Sequence, residues 1–140
     1  MQKFVIDSSV IVKWLHQEDE QLITQADAII NRAKENQAEL LAPELAKYEV
    51  GNALLVKKKL TPDQAKISLA SLYSFPIQFI HESEDIANET YKISCKNNIT
   101  YYDASFLSLA KEYDATLITD NIKHQGKVSE IKVIPLAKYK

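Results

Sequence analysis

With 140 residues, 46% of them hydrophobic and 26% charged, the chain is long enough to bury a core and has the make-up of an ordinary globular protein, read as one domain over 1–140. Its formal net charge of −2 excludes a globally basic nucleic-acid binder and leaves room only for a local basic patch, with Lys13 and Lys57 as candidates. One cysteine excludes a disulfide framework and a multi-cysteine zinc site, and Gly51 and Gly126, the only glycines, exclude the Rossmann fingerprint and the P-loop.

His16, His81 and His124 are scattered without metal-ligand spacing. No apolar run approaches the ~20 residues of a membrane span, and Met1-Gln2-Lys3 opens no signal peptide. A cytoplasmic protein with no membrane contact is expected.

In chain order, Phe4-Val5-Ile6 is a short apolar run, long enough for a buried strand and too short for a helix. Asp7 ends it, and 9–16 reads as a first helix with Trp14 turned inward. Glu18-Asp19-Glu20 is expected to open a second helix, its acids suiting the positive N-terminal end, with Leu22, Ala26, Ile29, Ile30 and Ala33 at helical spacing to about Asn36. Glu39 to Ala42 is a second strand, and Pro43 is expected to start a helix reaching about Lys59. The triple Lys57-Lys58-Lys59 reads as a solvated helix end.

Thr61 and Pro62 begin another helix, to about Tyr73, and Pro76 to Ile80 is a third strand. Ser83-Glu84-Asp85 caps a helix that Asn97-Asn98 breaks, with Cys95 expected to be buried on it. A further helix is expected from Asp103 to Tyr113. Ala115 to Thr119 and Ile131 to Pro135 are apolar, β-branched runs bounded by breakers, hence strands. Strands alternating with helices point to an α/β sandwich with a mainly parallel sheet of about five strands. No repeat, low-complexity tract or linker interrupts it.

Four acids fall at informative places in that architecture. Asp7 ends the first strand, Asp103 stands at a helix entry, and Asp120 follows the strand ending Ile118-Thr119. A parallel sheet gathers such junctions along one edge, where open α/β folds place their ligands. Glu49 lies on a helix that must pack across that edge, with Asn52 on the same face. Each has a plainer reading: Asp7 and Asp103 as helix caps, Asp120 as a turn, Glu49 as a surface acid. Those readings leave the shared location unexplained.

Carboxylates crowded together raise each other's pKa, and a divalent cation resolves the conflict. Mg²⁺ or Mn²⁺ takes hard oxygen ligands and keeps waters or substrate phosphate oxygens. It also turns a water into a nucleophile and offsets charge on a phosphodiester. Ser8, Asn52 and Thr119 are candidates for orienting water or phosphate.

Five pieces stand in order through the chain: Val5-Ile6-Asp7-Ser8-Ser9, then Ala42-Pro43 with Tyr48-Glu49-Val50-Gly51-Asn52, then Tyr102-Asp103-Ala104, Leu117-Ile118-Thr119-Asp120-Asn121, and Val133-Ile134-Pro135. In that order and at those spacings the chain resembles PIN-domain ribonucleases, in particular the VapC-like toxins of prokaryotic toxin–antitoxin pairs. The resemblance implies a PIN fold and Mg²⁺- or Mn²⁺-dependent endonucleolytic cleavage of RNA. It implies Asp7, Glu49 and Asp103 as core acids and inhibition by a small VapB-like antitoxin, which in many systems also binds DNA. Many relatives are homodimers.

One departure concerns the fourth acid. The family usually places it two residues after the Thr, which here is Asn121, whereas Asp120 comes one residue early. Asn occurs at that position in some relatives, so Asp120 and Asn121 both stand as candidates. Two other readings compete. A phosphoacceptor receiver domain also collects acids at strand ends, but it pairs two acids early and keeps a late Lys. A PIN-like scaffold binding RNA or protein without catalysis is the alternative if the acids are incomplete.

Overall fold

The computed structural model describes residues 1–126 and 128–140. The elements are β1 (Gln2–Ile6), α1 (Ser8–Leu15), α2 (Ile23–Lys34), β2 (Ala38–Pro43), α3 (Leu45–Val56), α4 (Pro62–Ser74), β3 (Ile77–Ile80), α5 (Glu84–Asn97), α6 (Tyr101–Glu112), β4 (Thr116–Thr119), α7 (Ile122–Gln125) and β5 (Val133–Pro135), followed by a 3-10 turn at Leu136–Lys138. The strands form one sheet in the order β3-β2-β1-β4-β5, and every neighbouring pair is parallel. The expected α/β architecture with a five-stranded parallel sheet is therefore present.

Topology decides which face each helix covers. Successive strands step one way from β1 to β3, then return across the sheet to β4 and β5. Right-handed crossovers put helices of the first leg on one face and those of the return leg on the other. Accordingly α1 packs with α2, α3 and α4, while α6 packs with α5 and α7. β1 lies at the centre, hydrogen-bonded on both edges and covered on both faces. That is why Phe4, Val5 and Ile6 form an unbroken apolar run instead of alternating. Each such side chain contributes about 1.5–3 kcal/mol of burial, so β1 anchors the core. Among the described residues no helix is long and apolar enough to cross a membrane.

Local chemistry sets the helix ends. Thr61 and Gln64 form a reciprocal capping box on α4 with Pro62 in its first turn, and Ser83 caps α5. Asn98 ends α5 in the left-handed region at φ 53°, which Asn tolerates. In α2, Ala26, Ile29, Ile30 and Ala33 form the buried stripe expected from their spacing. Trp14 is half-buried, its indole N–H donating to the Ala26 carbonyl at 2.8 Å.

Several expected boundaries move. Pro43 ends β2, in register with Ile80, instead of opening α3. A residue before proline is held extended, so Ala42 stays in the strand and the helix starts at Leu45. Glu18, Asp19 and Glu20 precede α2 in a turn, because Asp19 and Leu22 take left-handed backbone at φ 60° and 59°. A helix-dipole contact worth about 0.3–1 kcal/mol loses there to the ion pairs that claim Glu20.

The helix expected from Asp103 begins at Tyr101, with Thr100 as its cap. The stretch after β4 contains the unforeseen α7. Cys95 is exposed, not buried. It sits two residues, or about 200°, from Ile93, which marks the buried face of α5. Lys58 is tied to Glu20 at 2.7 Å, so the lysine run is not wholly solvated.

Candidate active site

The strand order reverses between β1 and β4, so their carboxyl ends mark the topological switch point, where parallel sheets leave a crevice. Asp7 and Asp120 stand there, one just past each strand. The Asp7 N–H donates to the Ile118 carbonyl at 3.0 Å, extending the β1–β4 ladder by one bond and fixing its backbone at the edge. A cleft of about 410 Å³ opens above, lined by Asp7, Ser8, Glu49, Asn52, Asp103 and Asp120 among others. Six of the eight positions anticipated from sequence thus share one cavity.

Each acid reaches the cleft for a local reason. Asp7 caps α1 and accepts from the Ser9 N–H at 3.1 Å and the Ser9 hydroxyl at 2.5 Å. Capping and cleft lining are thus one placement, not competing ones. Glu49 lies in the first half of α3, half-buried, and accepts from the Ser8 hydroxyl at 2.8 Å. Asp103 is in the first turn of α6, but the Thr100 hydroxyl accepts its N–H at 3.0 Å and does the capping. The Asp103 carboxylate is therefore free of that duty.

Two anticipated positions are not in the cleft lining. Thr119 is fully buried, and its hydroxyl accepts the Asn121 N–H at 3.0 Å, shaping the turn that follows β4. Asn121 is exposed beside that turn. Of the two candidates for the fourth position, Asp120 is the one that lines the cleft.

Electrostatics divides the acids. Burial pushes the Asp7 carboxyl above its ordinary value, against the lowering effect of Ser9 and Gln125, and the Asp103 charge adds to the rise. Burial likewise raises Glu49, with Ser8 opposing and the charges of Asp7 and Asp103 reinforcing. The Asp103 charge thus acts on both of the buried acids across the cleft. Asp120 is differently placed: its Oδ2 is 3.1 Å from Lys13 Nζ, and Lys13 is only 1% exposed. The same ammonium donates to Glu20 Oε1 at 3.0 Å and to the Gln21 carbonyl at 2.7 Å.

Burial disfavours the Lys13 charge, but the bonds to Glu20 and Asp120 prevail and hold it above the ordinary lysine value. Burial also acts to raise Glu20, and Lys58 and Lys13 outweigh it, leaving that carboxyl below its usual range. Lys13 is thus a buried member of the site and not a groove contact, whereas Lys57 is exposed and lines the cleft.

Sequence reasoning missed Glu20 and Gln125. Glu20 lines the cleft from the turn before α2. Gln125, 2% exposed on α7, donates to the Asp103 carbonyl at 3.4 Å, and its amide acts to lower the Asp7 carboxyl. Neither carries a sequence signal, because both depend on how distant turns meet.

Among the described residues, no three Asp, Glu, His or Cys side chains close into a metal cage. The donors present are hard carboxylate oxygens lining an open cleft, and two of them are raised by burial and mutual repulsion. That set fits a cation such as Mg²⁺, which takes one or two carboxylates and keeps much of its water. It does not fit a closed structural zinc site.

The PIN domain family model matches residues 4–129. Ribonuclease VapC3 of Pyrobaculum aerophilum is 28% identical over 121 residues, covering 84% of this chain and 88% of that protein. Ribonuclease VapC1 of Mycobacterium tuberculosis is 28% identical over 141 residues, covering 96% and 99%. Among solved structures, VapBC2 from Rickettsia felis, bound to a DNA fragment from its promoter, superposes with a TM-score of 0.74. It is 15% identical and covers 96% of this chain and 98% of that one, a likeness of fold.

Proposed function

The chain belongs to the PIN-domain family, and from that premise we propose that it is a metal-dependent endoribonuclease, the toxin of a VapBC-type pair acting in the cytoplasm. The observation that carries this reading is the convergence of Asp7, Glu49 and Asp103 on one cleft at the switch point of the sheet. Similarity over 84% and 96% of the chain to two proteins named as VapC ribonucleases supports it.

In this reading Asp7, Glu49 and Asp103 hold Mg²⁺ or Mn²⁺. Asp120 completes the acidic rim, and Asn121 stays outside it. The bound cation supplies Lewis-acid activation of a water and offsets phosphate charge. The chain's own residues do the rest. Ser8 keeps one Glu49 oxygen directed by its 2.8 Å bond, and Ser9 does the same for Asp7. Asn52 and Lys57, both exposed on the lining, are placed to meet phosphate oxygens of the RNA. Thr119 holds the turn that presents Asp120.

The partners of this reading are an RNA substrate, a VapB-like antitoxin and a second copy of the chain. The exposed Tyr48, Leu55, Val56, Tyr73 and Tyr102 offer apolar surface for protein association.

The test incubates purified, partner-free protein with a structured RNA pool, with Mg²⁺ or Mn²⁺ and with chelator, beside Asp7→Asn. Cleavage is expected to need metal and to fall by at least about 10²-fold in the variant. Asn still caps a helix while removing a carboxylate that burial disfavours, so the melting temperature of Asp7→Asn is expected to rise by a few degrees. No metal-dependent cleavage of any pool would favour the non-catalytic scaffold.

A further inference from the structure

The acids of the cleft fall into two groups according to what neutralises them. Asp120 and Glu20 are matched within the protein by Lys13 and Lys58, in a chain of alternating charge. Asp120 Oδ2 meets Lys13 Nζ at 3.1 Å, Lys13 meets Glu20 Oε1 at 3.0 Å, and Glu20 Oε2 meets Lys58 Nζ at 2.7 Å. Asp7, Glu49 and Asp103 make no ion pair among the described residues, and the first two are served only by neutral donors. The cleft therefore has a self-compensated side and an uncompensated one.

We propose that Lys13 is a built-in cation that takes the place a second metal would need, so that the site accepts one divalent ion, at Asp7, Glu49 and Asp103, and Asp120 is not a ligand to it. The proposal rests on the metal-dependent reading above and adds the number of ions and the role of Lys13.

Three features argue for it. The Lys13 ammonium has three protons and three acceptors, namely Asp120, Glu20 and the Gln21 carbonyl. Its side chain is 1% exposed, so swinging aside would strand a buried charge without water to receive it. A second cation on the same Asp120 oxygen, at a metal–oxygen distance of about 2.1 Å, would stand at most about 5 Å from that ammonium. Two positive centres at that separation compete for one carboxylate.

Lys13 nevertheless reaches the chemistry through its partner. The Asp120 N–H donates to the Ser9 hydroxyl at 3.2 Å, and that hydroxyl donates to Asp7 Oδ2 at 2.5 Å. Holding Asp120 thus helps to orient Asp7, which makes Lys13 a positioning residue.

The experiment is titration of the full chain with Mn²⁺, followed by calorimetry and by the electron-spin signal of free Mn²⁺. The wild type is compared with Asp120→Asn and Asp103→Asn. One Mn²⁺ per wild-type chain is expected. Asp120→Asn should keep that stoichiometry and an affinity within about threefold, while Asp103→Asn weakens binding by about tenfold or more. Asp120 is 36% exposed, so its variant is expected to fold, whereas Lys13→Met leaves Asp120 without its cation, and Glu20 with Lys58 alone, around a buried position. If Lys13→Met folds by circular dichroism, it should gain a second Mn²⁺. Two Mn²⁺ on the wild type, or equal losses in the Asp120 and Asp103 variants, would overturn the proposal and leave the nuclease reading intact. No Mn²⁺ on the wild type would defeat both.

Discussion

At the scale of single residues, the site is governed by small hydroxyl donors set against large charges. Ser8 and Ser9 each direct a carboxylate whose pKa burial raises, and each acts to lower it. A carboxylate with a raised pKa must shed its proton before it can hold a cation, so activity is lost as pH falls through that raised value. Removing the Ser8 hydroxyl takes away the one donor that lowers Glu49. Ser8→Ala is therefore expected to move the acid limb of the cleavage profile upward by about one pH unit, the size of a hydrogen bond to a charged group. A limb that stays in place would show that Glu49 does not control it. The Ser8–Glu49 pair, 41 positions apart in sequence, also illustrates what was hidden. Both residues were legible as candidates, since a Ser after a strand-end Asp and a Glu among apolar helical neighbours each attract attention. Their contact was not legible, because it depends on how α3 crosses α1. Lys13 was hidden more deeply. A lysine on a short helix normally means solvent, and nothing local says that Glu20 and Asp120 will close over it.

At the scale of elements, legibility followed the strength of local chemistry. β1 and β4 were readable because buried parallel strands are unbroken apolar runs. α4 and α5 were readable because Thr61-Pro62 and Ser83 announce their starts. The misplaced boundaries share one cause: a weak local preference met a stronger tertiary demand. Glu18, Asp19 and Glu20 suit a helix start, yet Glu20 is drawn to Lys13 and Lys58. Pro43 suits a helix start, yet it completes the β2–β3 ladder. α3 carries its own tension, for Gly51 lies inside it between Glu49 and Asn52. A methyl group added at Gly51 meets nothing within 4 Å. Gly51→Ala is accordingly expected to stabilise the protein by about 0.5–1 kcal/mol, a gain in melting temperature of roughly 2–4 °C per kcal/mol for a chain of this size. Thermal melts of the two proteins decide it, and a lower melting temperature would mean that α3 needs the glycine for some other contact.

At the scale of the whole molecule, the site draws on nearly the full length of the chain. Asp7 comes from the first strand, Glu49 from α3, Asp103 from α6 and Asp120 from the end of β4, and β1 receives its second neighbour only when Thr116, Leu117 and Ile118 pair with it. Synthesis runs from one end at about 5–20 residues per second, so a growing chain that has passed α5 holds Asp7 and Glu49 but lacks both Asp103 and the strand that closes the switch point. Ribosome-held chains stalled before Tyr101 are therefore expected to leave RNA intact under conditions where released chains cut it. Cleavage by the stalled chains would show that the residues before α6 suffice. On the proposed ribonuclease reading, the cleft that would attack RNA is assembled only after β4 has paired with β1.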